Sequence, residues 1–115
     1  MSYMFHDAHK FNGKIQGWNT SSVNSMSHMF HDARKFNGNL KHWQTGNVVD
    51  MSHLFHNAYE FNSKIQGWNT SSVNSMSHMF HDAHKFNGDI RGWQAGNVTD
   101  ISYMFHNSYN RTNTG

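Results

Sequence analysis

Apolar side chains fall at fixed intervals along this chain. Val23, Met26, Met29, Phe30 and Ala33 are separated by three, three, one and three residues, which predicts a short α or 3₁₀ segment with one buried stripe. A start signal precedes it: Ser22, or Asn47 and Asn97 at the equivalent places, stands just before the Val. Asp50 and Asp100, three residues beyond those asparagines, look like a capping box with Asp in place of Glu. Upstream, Phe11-Asn-Gly-Lys-Ile15-Gln-Gly-Trp18 is short and punctuated by glycines, and predicts a strand and a bend.

This pattern recurs every 25 residues. Phe11, Phe36, Phe61 and Phe86 form one row, Asn12, Asn37, Asn62 and Asn87 the next, and Trp18, Trp43, Trp68 and Trp93 a third. The sequence 1–115 is one repeat domain with a partial unit 1–10, full repeats 11–35, 36–60, 61–85 and 86–110, and a tail 111–115. Units 11–35 and 61–85 differ only at Gly13/Ser63 and Arg34/His84, so a 50-residue double repeat overlies the 25. A unit this small cannot bury its own apolar face, so neighbours must stack and share a core. The expected fold is a repeat solenoid, leucine-rich-repeat-like. Its stacked 25-residue coils would each hold a short strand and a short α or 3₁₀ segment. The strands would form a parallel sheet at ~4.8 Å spacing, giving a narrow, elongated protein.

Units of the form FN-x-x-I-x-x-W-x-TS-x-V-x-x-M-S-x-MF-x-x-A resemble the tandem repeat of bacterial surface lipoproteins, related to BspA-like leucine-rich repeats. Residues 1–110 carry the pattern, with Phe11, Asn12, Ile15, Trp18, Thr20, Val23, Met26, Phe30 and Ala33 in the family's places. The resemblance implies an extracellular or cell-surface scaffold for adhesion or protein contact, without catalysis. The chain departs from the pattern where Asn19 and Gln44 replace an Asp after Trp, where Ser25 and Ser75 replace a second Asp, and where histidines replace small or polar residues. The N-terminal MSYMFHDAHK shows no signal peptide, and no lipid-attachment Cys or wall anchor is visible, so surface location rests on the resemblance.

Composition changes this picture mainly by exclusion. Leu, Ile, Val and Phe supply only 20 of 115 residues, a fraction that suggests disorder only in a highly charged chain. Here 9 basic residues face 7 acidic ones, and 9 Phe, 8 Met, 4 Trp and 4 Tyr carry the apolar mass. No apolar run approaches the ~20 residues of a membrane span, so membrane insertion is not expected. The absence of Cys excludes disulfides and thiolate metal sites. Scattered Lys and Arg make no basic stripe for nucleic acid.

Stacking converts each repeat position into a row, and rows are the units of function. The Asn row reads as a hydrogen-bonded ladder, and the Met rows as core filler. The Trp row reads as core, the alternative being an exposed aromatic ribbon for carbohydrate or protein. The 11 histidines are the unusual feature. His6, His31, His56, His81 and His106 form one row, and His28, His53 and His78 a second, with Tyr3 and Tyr103 at its ends. The recurring H-x-x-H pairs (His28/His31, His53/His56, His78/His81) would lie on the helix face opposite the apolar stripe, exposed. Converging neutral imidazoles suit Zn²⁺, Ni²⁺ or Cu²⁺, although no cofactor is required, and stacked rings suit a pH switch. The plainer reading is a solvated polar face multiplied by duplication.

Catalysis needs a nucleophile, base and oxyanion site assembled once, whereas nearly every polar residue here recurs. His31 and Asp32, adjacent in sequence, should point in different directions, and an enzyme is not expected. The Thr20, Thr45, Thr70 row is broken by Ala95 and too thin for an ice-binding face. Met1, Met4 and Phe5 leave the first unit without a recognisable cap, so either the chain is an excerpt of a longer array or copies pack end to end or edge to edge into homo-oligomers or fibres. The expected function is therefore a non-catalytic repeat scaffold for protein contact, adhesion or self-assembly. The alternative is a metal-binding or pH-responsive module built on the histidine rows.

Overall fold

An α-helix spends each amide on the carbonyl four residues back and keeps φ negative throughout. Neither condition holds over 26–33 in the computed structural model, which describes residues 1–108; the end of the last repeat, 109–110, and the tail 111–115 lie outside the described residues. Met29 N–H donates to Met26 O at 3.1 Å and Ala33 N–H to Phe30 O at 3.0 Å, closing two successive tight turns. His28 (φ 58°) and Asp32 (φ 64°) occupy their third positions in the left-handed region, as type II turns require. Asp, Asn and His tolerate this region better than most L-residues, and the same two places in other units hold His53, Asn57, His78 and Asp82.

The predicted fold is therefore corrected. Among the described residues there is no helix and no named strand, only the isolated parallel bridges Ser25–Asp50, Asp50–Ser75 and Ser75–Asp100. No parallel-sheet, leucine-rich-repeat-like solenoid forms, and extents of 35 × 32 × 20 Å are not those of a narrow rod. The amides that a helix would consume internally point instead to the following unit. His28, Phe30 and Asp32 N–H donate to Ser52, Leu54 and His56 O at 3.0, 3.0 and 2.8 Å, and the set repeats from unit to unit. The expected capping residues cap no helix: Asp50 Oδ1 accepts the Ser52 N–H at 2.8 Å within a turn, and Asn47 Nδ2 donates to Ser21 O of the preceding unit at 2.9 Å. The stretch predicted as a strand is irregular and ends in a turn closed by Trp18 N–H on Ile15 O at 3.1 Å.

The core is built from the apolar rows. Phe30, Phe36, Phe55, Phe61, Phe80 and Phe86 are fully buried, with Met26, Met29, Met51 and Met79 beside them. Phe rings stack both within a unit (Phe55–Phe61, centroids 3.9 Å apart) and between units (Phe30–Phe55, 5.7 Å). Such contacts add to area burial and give one continuous core from Ile15 to Phe86. The first and last units flank it with their apolar faces partly open: Tyr3, Met4, Ile101 and Tyr103 are exposed.

Candidate functional site

Of the strict rows, Phe and Trp are mostly internal, whereas the Asn row is exposed and bonds from unit to unit. Asn12, Asn37 and Asn62 each accept, through Oδ1, the backbone N–H of the Asn in the following unit at 2.8–2.9 Å. Trp43, Trp68 and Trp93 donate their indole N–H to Ile15, Leu40 and Ile65 O at 3.1, 2.9 and 3.1 Å. Trp43 and Trp68 are buried and Trp93 half-buried, whereas Trp18 in the first full unit is exposed. Phe36, Phe61 and Phe86 are core, and Phe11 packs against it. Thr20, Thr45 and Thr70 are buried, donating to the Gln44, Asn69 and Gln94 carbonyls.

The histidines form a double strip. Because the 26–33 turns bring residues three apart side by side, His28 Nδ1 lies 2.9 Å from His31 Nδ1, and His53 Nδ1 2.9 Å from His56 Nδ1. In each pair one ring donates and the other accepts, so at least the accepting ring is neutral in this arrangement. Along the strip the rings stack face to face: His28–His53 at 4.3 Å, His53–His78 at 4.4 Å, His31–His56 at 4.3 Å and His56–His81 at 4.4 Å. Tyr3 and Tyr103 close one row by stacking on His28 and His78. His6 and His106 end the other row, tilted and edge-on against His31 and His81. The pair His78/His81 is more splayed, and both Nδ1 atoms are buried without a hydrogen-bond partner.

These rings are half-buried rather than exposed as the helical reading predicted, because stacking covers both faces of each. Burial, and then repulsion by neighbouring imidazoles, pushes His53 down to about 4 and His56 to about 3. His28 and His31 shift the same way, chiefly through burial, with Asp50 and Asp32 respectively opposing. Burial also lowers His81, against the pull of Asp82.

The carboxylates beside the strip were missed. Asp32 Oδ2 lies 3.7 Å from His31 Nε2, and Asp82 Oδ2 3.7 Å from His81 Nε2, so the expectation that these neighbours diverge is corrected. The left-handed φ of Asp32 and Asp82 is the cause, since it turns the carboxylate back towards the preceding ring. An Asp directly after the second His of two of the three H-x-x-H pairs (Asp32 and Asp82, with Asn57 after the middle pair) was the available signal. Burial would raise the Asp32 carboxyl, but the Asn57 amide at 2.7 Å and adjacent imidazoles outweigh it and hold it below the ordinary range.

The strip brings three sets of ligand atoms together: His28, His31 and His53; His6, His31 and Asp32; and His56, His81 and Asp82, each within 4.8 Å. Away from it, a concavity of about 570 Å³ is lined mainly by apolar side chains of the last unit, including Ile90, Trp93, Val98, Ile101 and Met104. No helix of the described residues is long and apolar enough to cross a membrane.

Two overlapping stretches, residues 1–65 and 39–114, match the model of a family described as "Mycoplasma protein of unknown function, DUF285". No curated protein and no solved structure matches the chain.

Proposed function

Taking as premise that the chain belongs to the DUF285 family of Mycoplasma proteins, a repeat family, we propose that it is a non-catalytic scaffold for protein contact and self-assembly at the cell surface. The observation that carries this reading is the apolar character of both flanking units. Tyr3 and Met4 at one end and Ile101 and Tyr103 at the other are more than half or nearly half exposed, at 54%, 49%, 63% and 61%. In every internal unit the equivalent faces are covered by a neighbouring repeat, so the shape that fits each end is another unit of the same kind. Large exposed apolar patches mark contact sites. The polar groups support the same reading: they recur in rows along the molecule, and the concavity at the last unit is lined mainly by apolar side chains rather than by a nucleophile and a base. Surface location follows the likeness to bacterial surface-lipoprotein repeats.

Sedimentation velocity on the full chain over a concentration series tests this. The mean mass should rise with concentration, and Met4→Glu or Ile101→Glu should return it to that of the monomer. A single monomeric species at every concentration removes the self-assembly reading.

A further inference from the structure

We propose that the histidine strip binds late first-row divalent ions, Cu²⁺ above all, one held by His28, His31 and His53 and a second by His56, His81 and Asp82. This goes beyond the scaffold reading and does not depend on it. The ligand atoms of each set lie within 4.8 Å of one another, and the two sets share no residue. The third set, His6, His31 and Asp32, shares His31 with the first and is an alternative to it, not a further site.

Geometry selects the ion. With metal–nitrogen bonds of about 2.0–2.1 Å, two ligands at 90° stand about 2.9 Å apart, and two at a tetrahedral angle about 3.4 Å. His28 and His31 Nδ1 are already 2.9 Å apart, the cis spacing of a square-planar or tetragonal site. That geometry belongs to Cu²⁺ and Ni²⁺, and Cu²⁺ stands highest in general affinity for imidazole. Zn²⁺ would have to spread a pair that stacking holds from both sides.

Proton bookkeeping is simple. The proton shared between His28 and His31 moves from Nδ1 to Nε2 of its own ring, so each Nδ1 presents a lone pair and no net proton is lost. Asp32, 3.7 Å from His31 Nε2, favours the proton there, in the way carboxylates orient metal-bound imidazoles. At the second set, His81 carries a buried Nδ1 with no hydrogen-bond partner, a polar atom whose burial is otherwise uncompensated.

The test is a Cu²⁺ titration of the full chain by calorimetry in a non-coordinating buffer, with electron paramagnetic resonance of the copper-loaded protein. Two ions per chain are expected, the second weaker through charge repulsion, with hyperfine splitting from at least two nitrogens. The double variant His28→Phe/His53→Phe, made in a His6→Phe background so that the alternative set is also broken, should bind one ion. A phenyl ring suits the row of His28 and His53, since Tyr3 and Tyr103 occupy it with the same left-handed backbone, φ 63° and 57°. The proposal is overturned if the native chain shows no saturable Cu²⁺ binding, if its spectrum shows fewer than two nitrogens, or if that variant, folded, still binds two ions.

Discussion

Lowering the pH in the presence of a chelator should destabilise the fold through His53 and His56. In the unfolded chain these rings take a proton near their ordinary 6.5, whereas in the folded strip they refuse it until about 4 and 3. Between those values the unfolded state binds more protons, so stability is full above 6.5, falls with pH through the window, and levels off below the folded values. At about pH 5, each ring would cost about 2 kcal/mol, and solvent screening along the open edge of the strip reduces the pair to about 2 kcal/mol in total. For a domain of this size that is a fall of roughly 10 °C in Tm. The lowered carboxyl of Asp32 comes into play only as pH falls through the ordinary carboxylate range, below the pH interval compared. Thermal unfolding followed by near-UV circular dichroism between about pH 7.5 and about pH 5 measures the effect, and His53→Asn/His56→Asn should flatten it whatever the variant's starting stability. Proton NMR of the imidazole Cε1–H signals gives an independent reading, since two rings should stay neutral at about pH 5. A flat Tm in the native chain, or an equally steep dependence in the variant, would refute the reasoning.

Two further substitutions probe the core. Phe55→Ala removes a fully buried ring stacked on Phe30, Phe61 and Phe80, and should cost about 3–5 kcal/mol in chemical denaturation without changing the repeat sequence around it. Trp68→Phe keeps the aromatic ring but leaves the Leu40 carbonyl without its 2.9 Å indole donor, a loss of about 1–3 kcal/mol by the same measurement. An unchanged denaturation midpoint in either case would place the core elsewhere.

The rows could be read from the chain because a 25-residue period fixes which residues become neighbours, whatever local structure intervenes. The apolar stripe Met26, Met29 and Phe30 was legible for that reason, and all three are buried. The turns were not. A spacing of three, three, one and three suits a helix and a succession of turns equally, and the choice is made by bonds to residues 24 positions away, such as Phe30 N–H to Leu54 O. The left-handed conformations of His28 and Asp32 are part of the same non-local choice. The candidate site shared this fate. The H-x-x-H spacing put His28 beside His31 on paper, but their half-burial comes from rings in adjacent units, and the approach of Asp32 from a φ that no periodicity encodes.

The bonds of the turn segment also give the stack an electrical direction. In each of these bonds the earlier unit gives the N–H and the later unit the carbonyl, from Tyr3 N–H on Ser27 O to His78 N–H on Ser102 O. Peptide dipoles of about 3.5 D thus line up across the units, as they do along a helix but with the opposite sense relative to the chain. The unit bearing Tyr103 faces outwards with the positive pole and the unit bearing Tyr3 with the negative one. In the proposed self-assembly, the Tyr103 end of one molecule would therefore be drawn to the Tyr3 end of another, and like ends would repel.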